Sequence, residues 1–111
     1  MLIDLEELIA MLKSLGVDVY RNKAPTEAKF PYFVYTYVNE KVLFGSGMRV
    51  ASYNQYQISY FTTGIESELL DFKHKFAGIP YEPFMSQQGD ENDDTITNFY
   101  TYIDVRGDED E

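Results

Sequence analysis

Two β-prone segments constrain the fold of this 111-residue chain most strongly. Within residues 49–62, Tyr56, Ile58 and Tyr60 alternate with polar residues, so they share one face of an extended strand. Residues 30–39 form a nearly unbroken aromatic and β-branched run that is apolar on both faces. The first pattern predicts a half-buried strand. The second predicts a strand that is central or covered on both sides.

The N-terminal segment, residues 4–15, has the periodicity of an amphipathic helix. Asp4 and Glu7 have the spacing of a capping box at the start of a helix, and both suit the positive end of the helix dipole. Gly16 stands where a left-handed C-terminal cap is expected. The apolar face of this predicted helix contains Leu5, Leu8, Ile9, Leu12 and Leu15.

A second helix is predicted over residues 65–77. Thr63 and Glu66 have capping-box spacing before it, and Gly78 follows its last residue. Its predicted apolar stripe consists of Ile65, Leu69, Phe72 and Phe76.

Further strands are predicted at residues 17–20, 79–85 and 95–106. Most of the connections can be short, which favours antiparallel pairing. The element order predicts an α+β fold, with an antiparallel or mixed β-sheet and two α-helices packed on one face. We expect a single domain over residues 1–106, followed by a disordered acidic tail at 107–111.

Composition limits the classes of function. The net charge of −10 disfavours tight nucleic-acid binding, because phosphate recognition depends on positive charge. No segment reaches the roughly 18 apolar residues of a membrane span, and the acidic N-terminal residues do not resemble a signal peptide. The ten Tyr and eight Phe suit a Tyr-rich sheet and an interface equally well.

The residues of catalytic and metal sites are scarce. The chain has no Cys and a single His, which excludes the usual zinc sites. His74 falls off the apolar stripe of the second predicted helix, between Lys73 and Lys75, and is predicted to lie on the surface. Neither a nucleophile elbow nor a phosphate-binding Gly-rich loop is present. We therefore expect no enzymatic activity and no cofactor.

An acidic segment contains Asp90, Glu91, Asp93 and Asp94. Asp90, Asn92 and Asp94 have the spacing of calcium ligands, but Thr95 stands where an EF-hand requires Gly. The sequence favours a solvated turn here, and a weak irregular calcium site is the alternative.

Residues 40–47 are predicted to form a loop, although apolar side chains in a solvated loop are unusual. Two interpretations remain open. Either a long twisted hairpin extends into this region, or the region is an arm that docks on a neighbouring subunit. The candidate interface residues are Val42, Leu43, Phe44, Gly45, Gly47 and Met48.

The whole pattern resembles the tail terminator (tail-to-head joining) proteins of siphophages and prophages. The resemblance consists of a helix ending in Gly16-Val17-Asp18-Val19-Tyr20, then Lys23-Ala24-Pro25, then Phe30-Pro31-Tyr32-Phe33-Val34-Tyr35. A long hairpin leading to Tyr56-Gln57-Ile58-Ser59-Tyr60-Phe61, a helix and an aromatic closing strand complete it.

The resemblance implies a non-enzymatic virion subunit that is monomeric in isolation and forms a ring, of six subunits in this family, on the tail tube. Its partners would be the tail tube protein and the head connector proteins. Its location would be the host cytoplasm during assembly and then the tail-head junction. Asp90, Glu91, Asp93 and Asp94 could then line an acidic lumen. The alternative is a small cytosolic protein-interaction module or regulator unrelated to phage assembly.

Overall fold

The computed structural model describes residues 2–107, except for the side chain of Arg49. The helices are α1 (Leu5–Lys13) and α2 (Leu70–Lys75), and a 3-10 helix (Glu66–Leu69) leads directly into α2. The strands are β1 (Asp18–Arg21), β2 (Tyr32–Gly45), β3 (Met48–Thr62), β4 (Met85–Gln88) and β5 (Thr97–Arg106). They form one mixed sheet with strand order β1-β2-β3-β5-β4, which confirms the predicted α+β class.

Helix α1 begins as its sequence predicts and ends at Lys13, two residues before the predicted end. Asp4 accepts a hydrogen bond from the backbone N–H of Glu7 at 2.7 Å, and Glu7 reciprocates, completing the capping box. Gly16 has a φ of 85°, the left-handed conformation expected after a helix. Arg106 of β5 contacts both Asp4 and Glu7 at 3.2 Å and so links this helix end to the sheet.

The second helical segment is shorter than predicted, and its predicted capping box does not form. The hydroxyl of Thr62 accepts the Gly64 N–H at 2.9 Å, and Ile65 makes no side-chain cap. Glu68 instead accepts hydrogen bonds from the hydroxyls of Tyr60, at 2.9 Å, and Thr62, at 2.8 Å. This carboxylate holds the 3-10 helix against the end of β3, so the sheet positions the segment.

Strand β1 pairs with β2 in parallel, and the other strand pairs are antiparallel. In the parallel pair Val19 lies opposite Phe33. Strand β4 begins at Met85, so the strand predicted at residues 79–85 is misplaced. Tyr81 and Phe84 pack edge-on against Phe72 instead, because their rings fill the core between α2 and the sheet.

The core lies between the two helices and one face of the sheet. Phe72 and Phe76 are fully buried, and their rings stack at 4.1 Å. Burying such a side chain stabilises the fold by about 2 kcal/mol. The alternation predicted for β3 is confirmed. The sheet residues of the core are Phe33, Tyr35, Tyr56, Ile58, Tyr60, Ile103 and Val105. Ile65 is exposed, and the rest of its predicted stripe is buried.

The predicted tail begins with a residue that belongs to the fold. Gly107 donates its N–H to the carbonyl of Ser52 at 3.1 Å. A Cβ at this position would lie 2.4 Å from the Ser52 hydroxyl oxygen, so any residue larger than Gly would force Gly107 and Ser52 apart. The remaining tail positions, 108–111, lie outside the described residues.

Candidate functional site

The β2–β3 hairpin extends well beyond the rest of the sheet. Strand β5 pairs with β3 only from Tyr53 onward, so residues 41–52 form a two-stranded ribbon, which we call the arm. Five extended residues span about 17 Å. The molecule measures 51 × 27 × 23 Å, and its radius of gyration is 15.2 Å. A compact domain of this length has a radius of gyration of about 13 Å, so the shape is elongated.

The arm corrects the prediction of a loop at residues 40–47. Backbone pairing continues from Lys41 opposite Tyr53 to Gly45 opposite Met48. Ser46 and Gly47 close the hairpin with φ values of 53° and 78°, the signs that a type I′ turn requires. The two-residue turn keeps both strands paired to their ends, so the long hairpin of the first interpretation is present, and an arm that docks on a neighbour would be this same hairpin.

The arm exposes apolar side chains at its end. Leu43 is 52% exposed, Phe44 64%, Met48 71% and Val50 59%, and Val42 is half-buried. Sequence reasoning missed Val50. A register shift between Leu43 and Phe44 leaves it without a cross-strand partner, and no local pattern marks such a bulge. Exposed apolar side chains on a projecting element are typical of an interaction surface.

Side-chain contacts tie the base of the arm to the sheet. The Lys41 ammonium lies 3.4 Å from a carboxylate oxygen of Asp104 on β5. The rings of Tyr37 and Tyr56 meet edge to face, with centroids 5.8 Å apart. The Lys41–Asp104 pair joins the base of the arm to β5, and the two Tyr rings lie in the sheet just below it.

The second candidate surface is the sheet face opposite the helices, which we call the open face. Strand β2 lies between β1 and β3, as predicted for a central strand. No helix within residues 2–107 packs on its second face, so the alternative, that it is covered on both sides, does not apply. The side chains of the open face come from every strand and are mostly half-buried. They include Tyr20, Tyr32, Val34, Gln57, Ser59, Phe61, Asn98, Tyr100 and Tyr102. The sequence indicated this surface through residues 30–39, whose apolar side chains occupy both faces of the strand and not the core face alone.

Four aromatic rings form a cluster at one end of the open face. Tyr32 stacks on Phe61 at 5.3 Å and on Phe30 at 5.3 Å, and Tyr20 meets Tyr32 edge-on at 5.6 Å. Offset and edge-on pairs of this kind contribute about 1 kcal/mol each beyond burial. The cluster offers a partner a flat, partly exposed apolar platform.

Carboxylates lie beside this cluster. Desolvation raises the pKa of Tyr32, and the charge of Asp90 raises it further. Desolvation also raises the pKa of Tyr20, and the nearby charge and hydrogen bond of Asp18 add to this effect. The Tyr20 hydroxyl donates to Asp18 at 3.3 Å. The electrostatic environment of the cluster is therefore negative on at least two sides.

The acidic segment forms the turn between β4 and β5. Asp90 accepts the backbone N–H of Asn92 at 2.9 Å, and Asp93 accepts both the N–H of Thr95, at 2.9 Å, and its hydroxyl, at 2.6 Å. These hydrogen bonds hold the pKa of Asp93 below its ordinary value. The four acidic side chains are exposed. A Cβ at the preceding Gly89 would lie 3.2 Å from the Phe61 ring, so the turn starts directly beside the aromatic cluster.

His74, the only His of the chain, lies apart from the arm and the open face. His74 is exposed on α2, as predicted, and lines an open depression with Ser14, Leu15, Asp71 and Lys75. Within residues 2–107, no group of three or more His, Asp or Glu side chains is placed to hold a metal ion. In the same part of the chain, no helix has the length and apolarity that crossing a bilayer requires.

The sequence matches no protein-family model and no curated protein. The arm and the open face are therefore interpreted from their own geometry and charge.

Proposed function

We propose that this chain is a non-enzymatic assembly subunit that forms a ring, in the manner of the tail terminator proteins it resembles. In that role it would cap a phage or prophage tail tube and dock to the head connector. The observation that carries the proposal is the arm, which presents Leu43, Phe44, Met48 and Val50 to solvent. The site of action would be the host cytoplasm during assembly and then the tail-head junction.

The arm is costly to maintain unless a partner covers it. A two-stranded ribbon without further strands has marginal stability in water. Exposed apolar side chains on such a ribbon also favour aggregation unless they have a defined partner. Contact with a neighbouring subunit would bury these side chains and cover the ribbon, which has only two strands.

The small size of the arm explains how assembly could be controlled. Contacts burying less than about 1,200 Å² in total are characteristic of weak association. Free subunits would therefore stay monomeric, and the end of a tail tube would bring several together. Weak contacts closed around a ring support one another, because each subunit is held on two sides.

Charge is consistent with a channel that DNA crosses. The net charge is −10, and Asp90, Glu91, Asp93 and Asp94 are exposed on one turn. A negative lumen repels phosphates and prevents adhesion of the passing genome. In the proposed ring these residues either line that lumen or contact a positively charged neighbour.

A second candidate is a small protein-interaction module unrelated to phage assembly. The open face favours it, because half-exposed Tyr and Phe rings are typical interface residues. Such a module would bind a different protein and would not associate with itself. The two functions therefore differ in whether the chain associates with itself when tail tubes are present.

Electron microscopy of the purified chain mixed with tail tubes tests the assembly proposal. We expect rings at tube ends and tubes of uniform length. An Ile65→Ser, Leu70→Ser double variant is the matched control, because it removes exposed apolar side chains from the helical side only. Bare tube ends, together with a chain that stays monomeric at every concentration, would contradict the proposal.

A further inference from the structure

Charge is unevenly distributed along this acidic chain. Residues 41–65 contain Lys41 and Arg49 and neither Asp nor Glu. With +2 in this stretch and −10 overall, the remaining residues carry −12. Both positive residues belong to the arm: Lys41 lies at its base, where it pairs with Asp104, and Arg49 lies near its end. The arm is thus an apolar and locally cationic element on a strongly anionic molecule.

The aromatic cluster of the open face has the complementary character. The Tyr32–Phe61 stack provides apolar area, and the acidic turn begins beside it at Gly89. On the other side of the stack, desolvation raises the pKa of Tyr20, and the charges of Asp18 and Glu27 raise it further. The connector there also contains Lys23 and Lys29. The β4–β5 turn has four acidic residues and no basic one, so it is the more strongly negative side and the one that a positively charged partner would face.

The arm and the cluster lie at opposite ends of the same two strands. Strand β2 begins at Tyr32 and reaches the end of the arm at Phe44 and Gly45. Twelve extended residues separate Tyr32 from Phe44, a distance of about 40 Å. The arm of a chain therefore cannot reach its own cluster, and contact between them requires two copies.

We infer that the arm of one copy docks on the Tyr32–Phe61 stack of the next copy, with the end that contains Arg49 toward the acidic turn. Leu43, Phe44, Met48 and Val50 supply the apolar contact, and Asp90, Glu91, Asp93 and Asp94 supply the opposing charge. This inference rests on the proposed role of the arm in assembly. It adds the surface that receives the arm.

The contact is heterologous, because two different surfaces of the same chain meet. Repeating such a contact joins subunits head to tail, and a ring results when the rotation between neighbours closes. Charge complementarity sets the orientation of the arm and excludes the reverse register. High salt should weaken the assembly, because the opposing charges are exposed.

Cysteine pairs can locate the contact directly, because the natural chain contains no Cys. We would mix a Ser46→Cys variant, which labels the arm turn, with a Gln87→Cys variant, which labels the exposed open face beside Asn98. The control mixture pairs Ser46→Cys with Lys73→Cys on the helical side. A short bis-maleimide would be added to each mixture on tail tubes, and the linked peptides would be identified by mass spectrometry.

We expect the Ser46–Gln87 linkage to exceed the Ser46–Lys73 linkage at least ten-fold. Equal yields, or a predominance of Ser46–Ser46 linkages, would overturn the inference. If rings form on tubes without the Ser46–Gln87 linkage, the receiving surface is wrong but the proposed function stands. If no assembly forms on tubes, both fail.

Charge reversal provides an independent test. Arg49→Glu alone, and Glu91→Lys with Asp94→Lys, should each weaken assembly at least ten-fold. Combining all three changes in one chain should restore most of the loss, because the opposing charges are exchanged. Glu66→Lys with Asp71→Lys on the helical side is the control and should leave assembly unchanged. A combined variant weaker than either parent would overturn the inference.

Discussion

Tyr32 stacks on Phe61 across the β2–β3 pair, with ring centroids 5.3 Å apart and planes inclined by 24°. The pair lies on the sheet face that no helix in the described part of the chain covers. The next residue, Phe33, points to the other face, where it is buried against Tyr60 and Phe72. Adjacent aromatic residues thus serve the surface and the core separately.

Replacing these neighbours should separate the two roles. Phe33→Ala should lower the free energy of unfolding by about 3–5 kcal/mol, because it leaves a cavity between the sheet and α2. Tyr32→Ala should cost less, about 2 kcal/mol, because it breaks three aromatic pairs that share the Tyr32 ring but leaves no enclosed cavity. Urea unfolding with unchanged m-values measures both. Equal losses would mean that the open face is covered in the folded chain.

Glu68 should stabilise the fold beyond what an exposed carboxylate normally contributes. It accepts hydrogen bonds from the hydroxyls of Tyr60 and Thr62 and holds the 3-10 helix to β3. Glu68→Ala should cost about 2 kcal/mol, since two charge-assisted hydrogen bonds are lost. Glu66→Ala is the matched control, since Glu66 lies on the same short helix and is exposed. Equal melting temperatures for the two variants would rule out this role.

The raised pKa of Tyr60 predicts that the folded protein loses stability at alkaline pH. Burial raises its pKa above the ordinary value of 10.0, and the hydrogen bond and charge of Glu68 raise it further. The folded state therefore holds this proton more tightly than the unfolded chain. The contribution of this tighter binding to the free energy of unfolding is fully present below pH 10. It decreases as the pH rises from there toward the folded-state pKa.

Urea unfolding from about pH 9 to pH 11 measures this effect. Tyr60→Phe should start from a lower stability, because it loses the hydrogen bond, and should then decline less steeply. A parallel decline in both proteins would show that Tyr60 does not cause the alkaline loss.

Calcium should leave the melting temperature unchanged. The acidic turn satisfies Asp90 and Asp93 through local hydrogen bonds to Asn92 and Thr95, and all of its carboxylates are exposed. A ligand that binds only the folded state raises stability by mass action. Differential scanning fluorimetry with millimolar calcium, and with magnesium as control, measures this. A rise of several degrees with calcium alone would reveal a specific site.

Local sequence patterns predicted the elements whose signals are contained in a few neighbouring residues. The capping box of Asp4 and Glu7, the left-handed Gly16 and the alternation of Tyr56, Ile58 and Tyr60 all have a local physical cause. The structure confirms each of them.

Features set by distant partners could not be predicted in the same way. The parallel pairing of β1 with β2 depends on contacts between separate segments. The failed capping box at Thr63 reflects the competing bonds of Glu68 to Tyr60 and Thr62. The apolar candidates Val42, Leu43, Phe44 and Met48 lie on the arm, and their strand conformation depends on pairing between β2 and β3, which no local pattern encodes. The open face was missed because both faces of β2 are apolar in sequence.

The central claim is that the exposed apolar end of the arm is an assembly surface. Sedimentation velocity of the Leu43→Ser, Phe44→Ser double variant, over a concentration series with and without tail tubes, tests it most directly. We expect a folded monomer with a melting temperature close to the parent chain and with no assembly. The Ile65→Ser, Leu70→Ser control should assemble as the parent chain does. A double variant that unfolds, or that still assembles fully, would contradict the account.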